Sequence, residues 1–399
     1  MSGSKRKSSR EEEEEPMIYL DYNATTPLCD AAREAMLPYL GRYFGNPSSV
    51  HAAGREARAA IDDARDTLGA LLKAKPGEII FTSGATESCN LGVLGLARSV
   101  SSSGGHIISN KAEHHAVMNA VEHLENCEGF EVTWLNVSKN GMVDLNQLAD
   151  SIRPDTKLVS IMTANNETGV VQPMREISRI CRERGVLFHS DIVQAFGKLD
   201  IDVSLVDAGS FAAHKFYGPK GTGFLFLRSG LPIQPLMFGG AHENQRRPGT
   251  ENVAGVAGMA AAAEWLLRDA DAERQRQAQL RDDFWTRIAK SFPDAQQNGD
   301  PVHRLTNTLN TSFIGVDSET MLMALDLEGI CASSGSACMV GSVRASHVLL
   351  AMGLPMESAR SAIRFSLGRR TTAEEIANAA DALERIAKRT KDAREYALA

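Results

Sequence analysis

Between Ile18 and about Arg228 short apolar runs alternate with amphipathic stretches, and this alternation constrains the fold more than any other feature of the chain. Ile79-Ile80-Phe81 reads as a strand, and Thr82 to Glu87 then leads into a helix holding Leu91, Val93, Leu94 and Leu96. His106-Ile107-Ile108, Val132 to Val137, Leu158 to Met162, Val186 to His189 and Phe224 to Leu227 continue the strands, with helical segments such as Pro173 to Arg184 between them. Hydrophobic strands separated by helices suit a sheet covered on both faces, so the predicted class is α/β with a mainly parallel sheet. Near Thr250 the texture changes. Asn252 to about Phe292, rich in Ala, Leu, Arg and Gln, reads as one long or broken helix linking two regions. A smaller region then opens on a strand-like Leu305 to Phe313 and closes on a helix reaching about Lys391, started by a Thr372/Glu375 capping box.

A chain of 399 residues has room for two or three such regions. Its formal charge of −7 supplies no general basic field, so nucleic acid is not expected as a direct partner. No apolar stretch approaches the ~20 residues of a membrane helix, which predicts a soluble protein. Six cysteines, none in a Cys-x-x-Cys pair or a zinc-ligand spacing, suit a reducing compartment and predict no metal site. Residues 1–16 carry a basic cluster (Lys5, Arg6, Lys7) and then Glu11 to Glu15. They read as a solvated, disordered tail.

The chemistry gathers at a few positions. Lys215 follows the apolar Ser210-Phe211-Ala212 run and precedes the turn Gly218-Pro219-Lys220-Gly221. A lysine ending a buried strand loses hydration, its amine becomes easier to deprotonate, and such an amine forms a Schiff base with an aldehyde. Thr82 to Glu87 joins a strand to a helix start, where exposed N–H groups favour a phosphate; taken alone it could equally be a Ser/Thr cap. Asp191 stands at the end of a strand where open α/β sheets place ligands, and its carboxylate could hold a protonated ring nitrogen or simply cap a helix. Gln194 lies about one helical turn on. His114 could stack on an aromatic ring or be a satisfied structural histidine. Arg364, inside a strand-like run, calls for a carboxylate, either a ligand's or an internal partner's. Ser333-Ser334-Gly335-Ser336-Ala337-Cys338 puts a thiol at the end of a run of small residues, which suggests an accessible cysteine in a mobile loop. Cys331, after apolar Ile330, reads as a packing cysteine.

These residues, together with Tyr19 to Pro27, Gly45 to His51, Asn165-Asn166-Glu167-Thr168-Gly169 and Arg247 to Asn252, carry a resemblance. From about Ile18 to Thr390 the sequence resembles the cysteine desulfurases of the NifS and IscS type, class-V aminotransferase-like enzymes of the aspartate-aminotransferase fold (fold type I) that depend on pyridoxal 5'-phosphate. The resemblance implies a segment 17–30 joining a small domain, a large cofactor-binding domain over 31–265, and a small α+β domain over 266–399 with the cysteine loop. It implies that Lys215 links to the cofactor, that Asp191 pairs with its ring nitrogen, that His114 stacks on its ring, and that Gln194 donates to its phenolic oxygen. Ala85 through its backbone, Thr86 and His214 would hold the phosphate, helped by Thr250 from a partner subunit in a homodimer. Asn166 and Arg364 would hold the substrate carboxylate. Cys338 would take sulfur from L-cysteine as a persulfide, leaving L-alanine, for a sulfur acceptor or iron–sulfur scaffold protein in the cytoplasm.

Other activities of the same fold, a selenocysteine lyase or an aminotransferase, are not separated from this one by fold. Cys338 in its loop favours sulfur transfer. A weakly catalytic sulfur-carrier scaffold is the alternative of another kind. Two departures stand out. Ala212 replaces the serine that the family uses as a phosphate ligand, a loss of roughly 1.5–3 kcal/mol if nothing replaces the hydrogen bond. Met339 to Ser346 lacks the family's usual Glu-Pro after the cysteine and adds Arg344.

Overall fold

The computed structural model describes residues 17–101, 103–335 and 345–398. Its centre is a seven-stranded sheet built from β2 (Ile79–Thr82), β3 (Gly105–Asn110), β4 (Phe130–Leu135), β5 (Thr156–Ser160), β6 (Leu187–Asp191), β7 (Ala208–Ala212) and β8 (Gly223–Leu227), following a short β1 (Ile18–Tyr19). The strand order is β2-β8-β7-β6-β5-β3-β4. All pairs from β4 across to β7 are parallel, while β8 runs antiparallel between β7 and β2. The mainly parallel α/β sheet expected from the alternating runs is therefore present. The strands fall within about two residues of the apolar runs, because the hydrogen-bond ladder extends into polar neighbours that periodicity does not mark. Helices cover both faces and close two apolar cores, with Phe211 stacked on Phe224 at 4.3 Å in one of them.

Past the sheet, the stretch from Asn252 to Phe292 is a broken helix. Val253–Leu267 and Ala270–Ser291 are separated by Arg268 and Asp269, and Asp269 accepts from Arg369. Beyond it lie β9 (Gln296–Gln297), β10 (Thr308–Ser312), β11 (Ile330–Cys331) and β12 (Ala362–Ser366); β10 pairs antiparallel with both β9 and β12. β1 crosses to this end of the chain and pairs with β11, Ile18 against Ile330 and Tyr19 against Cys331. Cys331 thus packs at a strand pair, as its apolar context suggested, and burial pushes its thiol up. The last helix, Ala373–Leu398, starts with the predicted capping box: the Thr372 N–H donates to Glu375 Oε2 at 2.7 Å and the Glu375 N–H to Thr372 Oγ1 at 3.1 Å.

One buried charge pair ties the sheet to the loop preceding Arg247–Asn252. Arg65 grips Glu243 with both terminal nitrogens, at 2.6 and 2.9 Å, and the Phe81 N–H adds a third bond to the same carboxylate. Glu243 is buried, with its backbone in the left-handed region at φ 49°. Its three hydrogen bonds hold a conformation that non-glycine residues seldom adopt. Glu243→Ala leaves the Arg65 guanidinium buried without its carboxylate, so a loss of about 3 kcal/mol in unfolding free energy is expected, read as a lower denaturant midpoint. An unchanged midpoint would show that the loop owes nothing to this pair.

Candidate active site

Parallel strands that run the same way end on the same edge, and the loops leaving that edge build one cavity of about 740 Å³. The loop after β2 supplies Ser83 to Thr86, and that after β3 supplies His114. The loop after β5 supplies Asn166 and Glu167. β6 ends in Asp191 with Gln194 just beyond, and the turn after β7 supplies His214 and Lys215.

Lys215 does not end the strand. β7 stops at Ala212, and a tight turn over Ala213–Lys215 carries the lysine out, because Phe216 and Gly218 both bond back to the Ala213 carbonyl. Its Nζ donates to the backbone carbonyls of Asn23 and Ala24, each at 2.7 Å. His214 beside it shares a hydrogen bond with Thr25 Oγ1 at 3.2 Å. Burial, with Lys215 and Lys220 adding, pushes it down to about 4, so its imidazole is neutral at pH 7.

Asp191 is buried at the end of β6. Its Oδ1 accepts the Val193 N–H at 2.9 Å and its Oδ2 the Cys89 thiol at 3.7 Å, so the turn-capping and cavity-facing roles coexist. Burial pushes its carboxyl up, opposed by the charges of His114 and Lys215 and by its hydrogen bonds. His114 caps the helix His115–Cys127, accepting the Ala116 N–H on Nδ1 at 3.1 Å, which leaves the proton of the neutral ring on Nε2. Its structural and site roles also coincide. Burial pushes it down and Asp191 draws it up.

Glu113 was not singled out by its sequence, yet it is fully buried, its Oε1 bonded to the Met162 N–H and to the Asn110 amide at 2.8 Å each. Burial pushes it up to about 8, against the Met162 bond and with the Asp191 charge adding. At neutral pH it is a neutral acid, which spares Asp191 a second buried anion.

At the other end of the cavity the helix opening at Ala85 has no side-chain cap, so the Ser/Thr-cap reading of this loop fails. Gly84 precedes it at φ 151°, with open space where a side chain would stand. The first N–H groups of a helix have no partner within it, and those of Ala85 and Thr86 are of this kind. Ser83, Thr86, His214 and Lys220 share that wall. Ala212 is 1% exposed, in register with Gly223, and lies off the wall.

Arg364 on β12 is 3% exposed, with Nη2 on Asp21 Oδ1 at 2.6 Å and Nη1 on the Asn166 carbonyl at 3.0 Å. It is an internal ion pair and a cavity residue at once. Gln194 donates from Nε2 to the Asn23 carbonyl at 2.9 Å. Thr250 alone among the described predicted residues is not brought to this cavity. It is exposed and lines a neighbouring one of about 240 Å³ that shares Ser83 and Gly221 with it. Cys338 lies outside the described residues. Among the described residues no group of three or more His, Cys, Asp or Glu could hold a metal ion.

Sequence reasoning passed over Asn23 and Lys198. Asn23 takes part in contacts with Lys215, Gln194, Lys198, Asn307, Thr308 and Ser366. Lys198 bonds to Gln194 Oε1 at 2.8 Å and to Asn23 Oδ1 at 2.9 Å. The four-residue step from Gln194 to Lys198 was the only signal in the sequence.

A lysine amine, a buried carboxylate and an uncapped glycine-led helix start in one cavity suit an aldehyde that carries both a basic ring nitrogen and a phosphate. Enzymes that use pyridoxal 5'-phosphate on an α/β sheet have that requirement, and the residues present fit it. The aminotransferase class-V family model matches residues 18–378. "Cysteine desulfurase IscS" of Dictyoglomus turgidum is 47% identical over 381 residues, covering 95% of this chain and 96% of that protein. The human "Cysteine desulfurase" is 45% identical over 364 residues, covering 90% of this chain and 79% of its own length. The solved structure titled "NIFS-LIKE PROTEIN" superposes with a TM-score of 0.87 at 35% identity, over 93% of this chain and 99% of its own. The chain belongs to the class-V aminotransferase family, among its NifS- and IscS-type members, and its cofactor is pyridoxal 5'-phosphate.

Lys215→Ala is expected to abolish covalent attachment of the cofactor while leaving non-covalent binding measurable. Borohydride trapping and peptide mapping check it, and label on Lys220 would overturn the assignment. For Glu113, the unfolded chain releases its proton near the ordinary carboxyl value of 4.5 and the folded apoprotein near 8. The folded state therefore holds the extra proton in between, and the stability this provides is complete below about 4.5 and lost as pH rises to about 8. Glu113→Gln removes the titration, so the variant's unfolding free energy relative to wild type is expected to rise between about pH 5 and 8. A flat difference would show Glu113 already ionised.

Proposed function

We propose that this chain is an L-cysteine desulfurase, with Cys338 as the residue that receives sulfur. One observation carries the second part. Gly335, three residues before Cys338 in the sequence, lines the cavity that holds Lys215. Ser346 and His347, on the far side of the loop, return to the same place. Ser346 Oγ donates to Glu167 Oε2 at 2.5 Å, and His347 lines the cavity.

When bound, pyridoxal phosphate supplies an electron sink for bond cleavage at the substrate's α-carbon. The chain supplies everything around it. Gly84 to Thr86 and His214 hold the phosphate, and Asp191 keeps the ring nitrogen charged. Arg364, steadied by Asp21 and the Asn166 carbonyl, binds the substrate carboxylate and so fixes the orientation of cysteine in the cavity. The Lys215 amine, released from the cofactor, removes and returns the α-proton. The Cys338 thiolate attacks the substrate sulfur. An S–S bond forms, the substrate's C–S bond breaks with its electron pair staying on carbon, and protonation there leads to alanine. His114 carries its proton on Nε2 and uses Nδ1 for the Ala116 N–H, so it takes the thiol proton only by releasing that cap.

The similarity to proteins named cysteine desulfurase supports desulfuration. Division into a segment 17–30 that joins a small domain, a large domain over 31–265 and a small domain over 266–399 is supported by the pairing of β1 with β11. A homodimer in which Thr250 reaches the partner's phosphate site is supported by its place on an exposed loop beside Ser83 and Gly221. Delivery of sulfur to an acceptor or iron–sulfur scaffold protein, and a cytoplasmic location, complete the reading. Among the described residues no helix is long and apolar enough to cross a membrane.

The test is sulfide and alanine release from L-cysteine by the purified yellow protein, expected in equal amounts. Cys338→Ser is expected to keep the spectral change on cysteine addition and to lose sulfide release. Desulfuration at the wild-type rate by this variant would remove Cys338 from the mechanism.

A further inference from the structure

Lys198 has no task in the reaction just described. It follows the turn after Gln194, where Gly197 sits at φ 76° and a Cβ would fall 2.0 Å from Leu266, so the backbone leading to the lysine is tightly held. Among the described residues no carboxylate lies within ion-pair distance of its Nζ. Its hydrogen-bond partners are two amide oxygens, Gln194 Oε1 at 2.8 Å and Asn23 Oδ1 at 2.9 Å. The charges nearest it, Lys215 and Arg364, are of its own sign, and burial together with them pushes its amine well down. A lysine amine buried there without a counter-ion costs stability, whether it stays charged or gives up its proton, which asks for a function.

Hydrogen-bond chemistry suggests one. Charged or neutral, a lysine amine has at least two N–H groups and can donate to both oxygens. Each amide it holds must then turn its oxygen toward Lys198 and its NH₂ away. Reversing the Gln194 amide would set NH₂ against the lysine N–H groups and leave the amide oxygen facing the Asn23 carbonyl, two repulsive contacts in a buried place. In the observed orientation one Gln194 N–H donates to the Asn23 carbonyl at 2.9 Å, and the amide still lines the cofactor cavity. We propose that Lys198 is a positioning residue that fixes the Gln194 amide with its donor end toward the cofactor, so that Gln194 always offers an N–H, never a carbonyl, to an anionic oxygen on the ring. Asn23 is oriented by the same lysine together with Asn307, whose Nδ2 also donates to Asn23 Oδ1 at 3.1 Å, and its NH₂ is sent to the Asn166 carbonyl at 3.2 Å and to Thr308 Oγ1 at 2.9 Å. Lys198 thus holds two residues that line the cavity, Gln194 and Asn23, without lining it itself.

This inference rests on the pyridoxal phosphate reading, and the experiment keeps the two apart. Wild type, Lys198→Met, Gln194→Ala and the double variant are loaded with pyridoxal phosphate, and the visible absorption of the lysine-bound cofactor is titrated with pH. Cofactor affinity is measured by equilibrium dialysis in parallel. A donor to the ring oxygen favours its anion and so favours proton loss from the adjoining nitrogen. Losing the oriented donor is therefore expected to raise the titration midpoint by about half a pH unit, a threefold change in the acid constant. Lys198→Met and Gln194→Ala should each do this, and the double variant should shift no further than Gln194→Ala alone. Lys198→Arg, which keeps the two donors, should restore the midpoint to near the wild-type value. Additive shifts would mean that Lys198 acts through its charge or its packing, and would overturn the proposal. So would a Lys198→Met midpoint equal to wild type. Failure of the wild-type protein to form a lysine-bound chromophore would overturn the site reading and this inference with it.

Discussion

Parallel pairing is the constraint on which the rest of this structure depends. β3, β5, β6 and β7 run parallel, so the loops that follow them leave the sheet on the same edge, and β2, antiparallel to β8 as β7 is, adds its loop to that edge. The inner strands are buried on both faces while β4 at the edge is partly exposed, and the cavity's polar groups stand at strand ends, where backbone groups leave the ladder and need other partners. Asp191 as the last residue of β6, His114 as the cap of the helix after β3, and Lys215 in the turn after β7 each meet a structural need and a chemical one at the same position.

Electrostatics in the cavity follows from burial more than from any single charge. Burial moves Asp191 and Glu113 up and His114, His214 and Lys198 down, in each case toward the neutral form. The effect is to leave few full charges beside Lys215 before a ligand brings its own. The uncapped helix start and the buried Asp191 carboxyl in one cavity suit a ligand that carries both a phosphate and a ring nitrogen.

The amino-terminal segment gives the site its rigidity. β1 is fastened to β11, Asp21 is paired with Arg364, and Asn23 is bonded to groups from the large sheet and from β10. Through the Asn23 and Ala24 carbonyls this segment also holds the Lys215 amine, so a residue near the start of the chain sets the resting place of one more than a hundred positions away.

The sequence by itself determined the α/β class, the break near Thr250 and the capping box of the last helix, and it singled out Lys215, Asp191, His114, Gln194, His214 and Arg364, which the fold brings to one cavity. These are legible because apolar period, turn residues and local motifs are encoded over short stretches. Tertiary structure decided what depends on neighbours distant in the chain. It moved Lys215 off its strand and into a turn. It paired Arg364 with Asp21, kept Glu113 protonated, and set Lys198 between two amides. It also left Thr250 outside its own chain's cavity. None of these has a local signature, because burial and hydrogen-bond partners are settled only when strands far apart in sequence come to lie side by side.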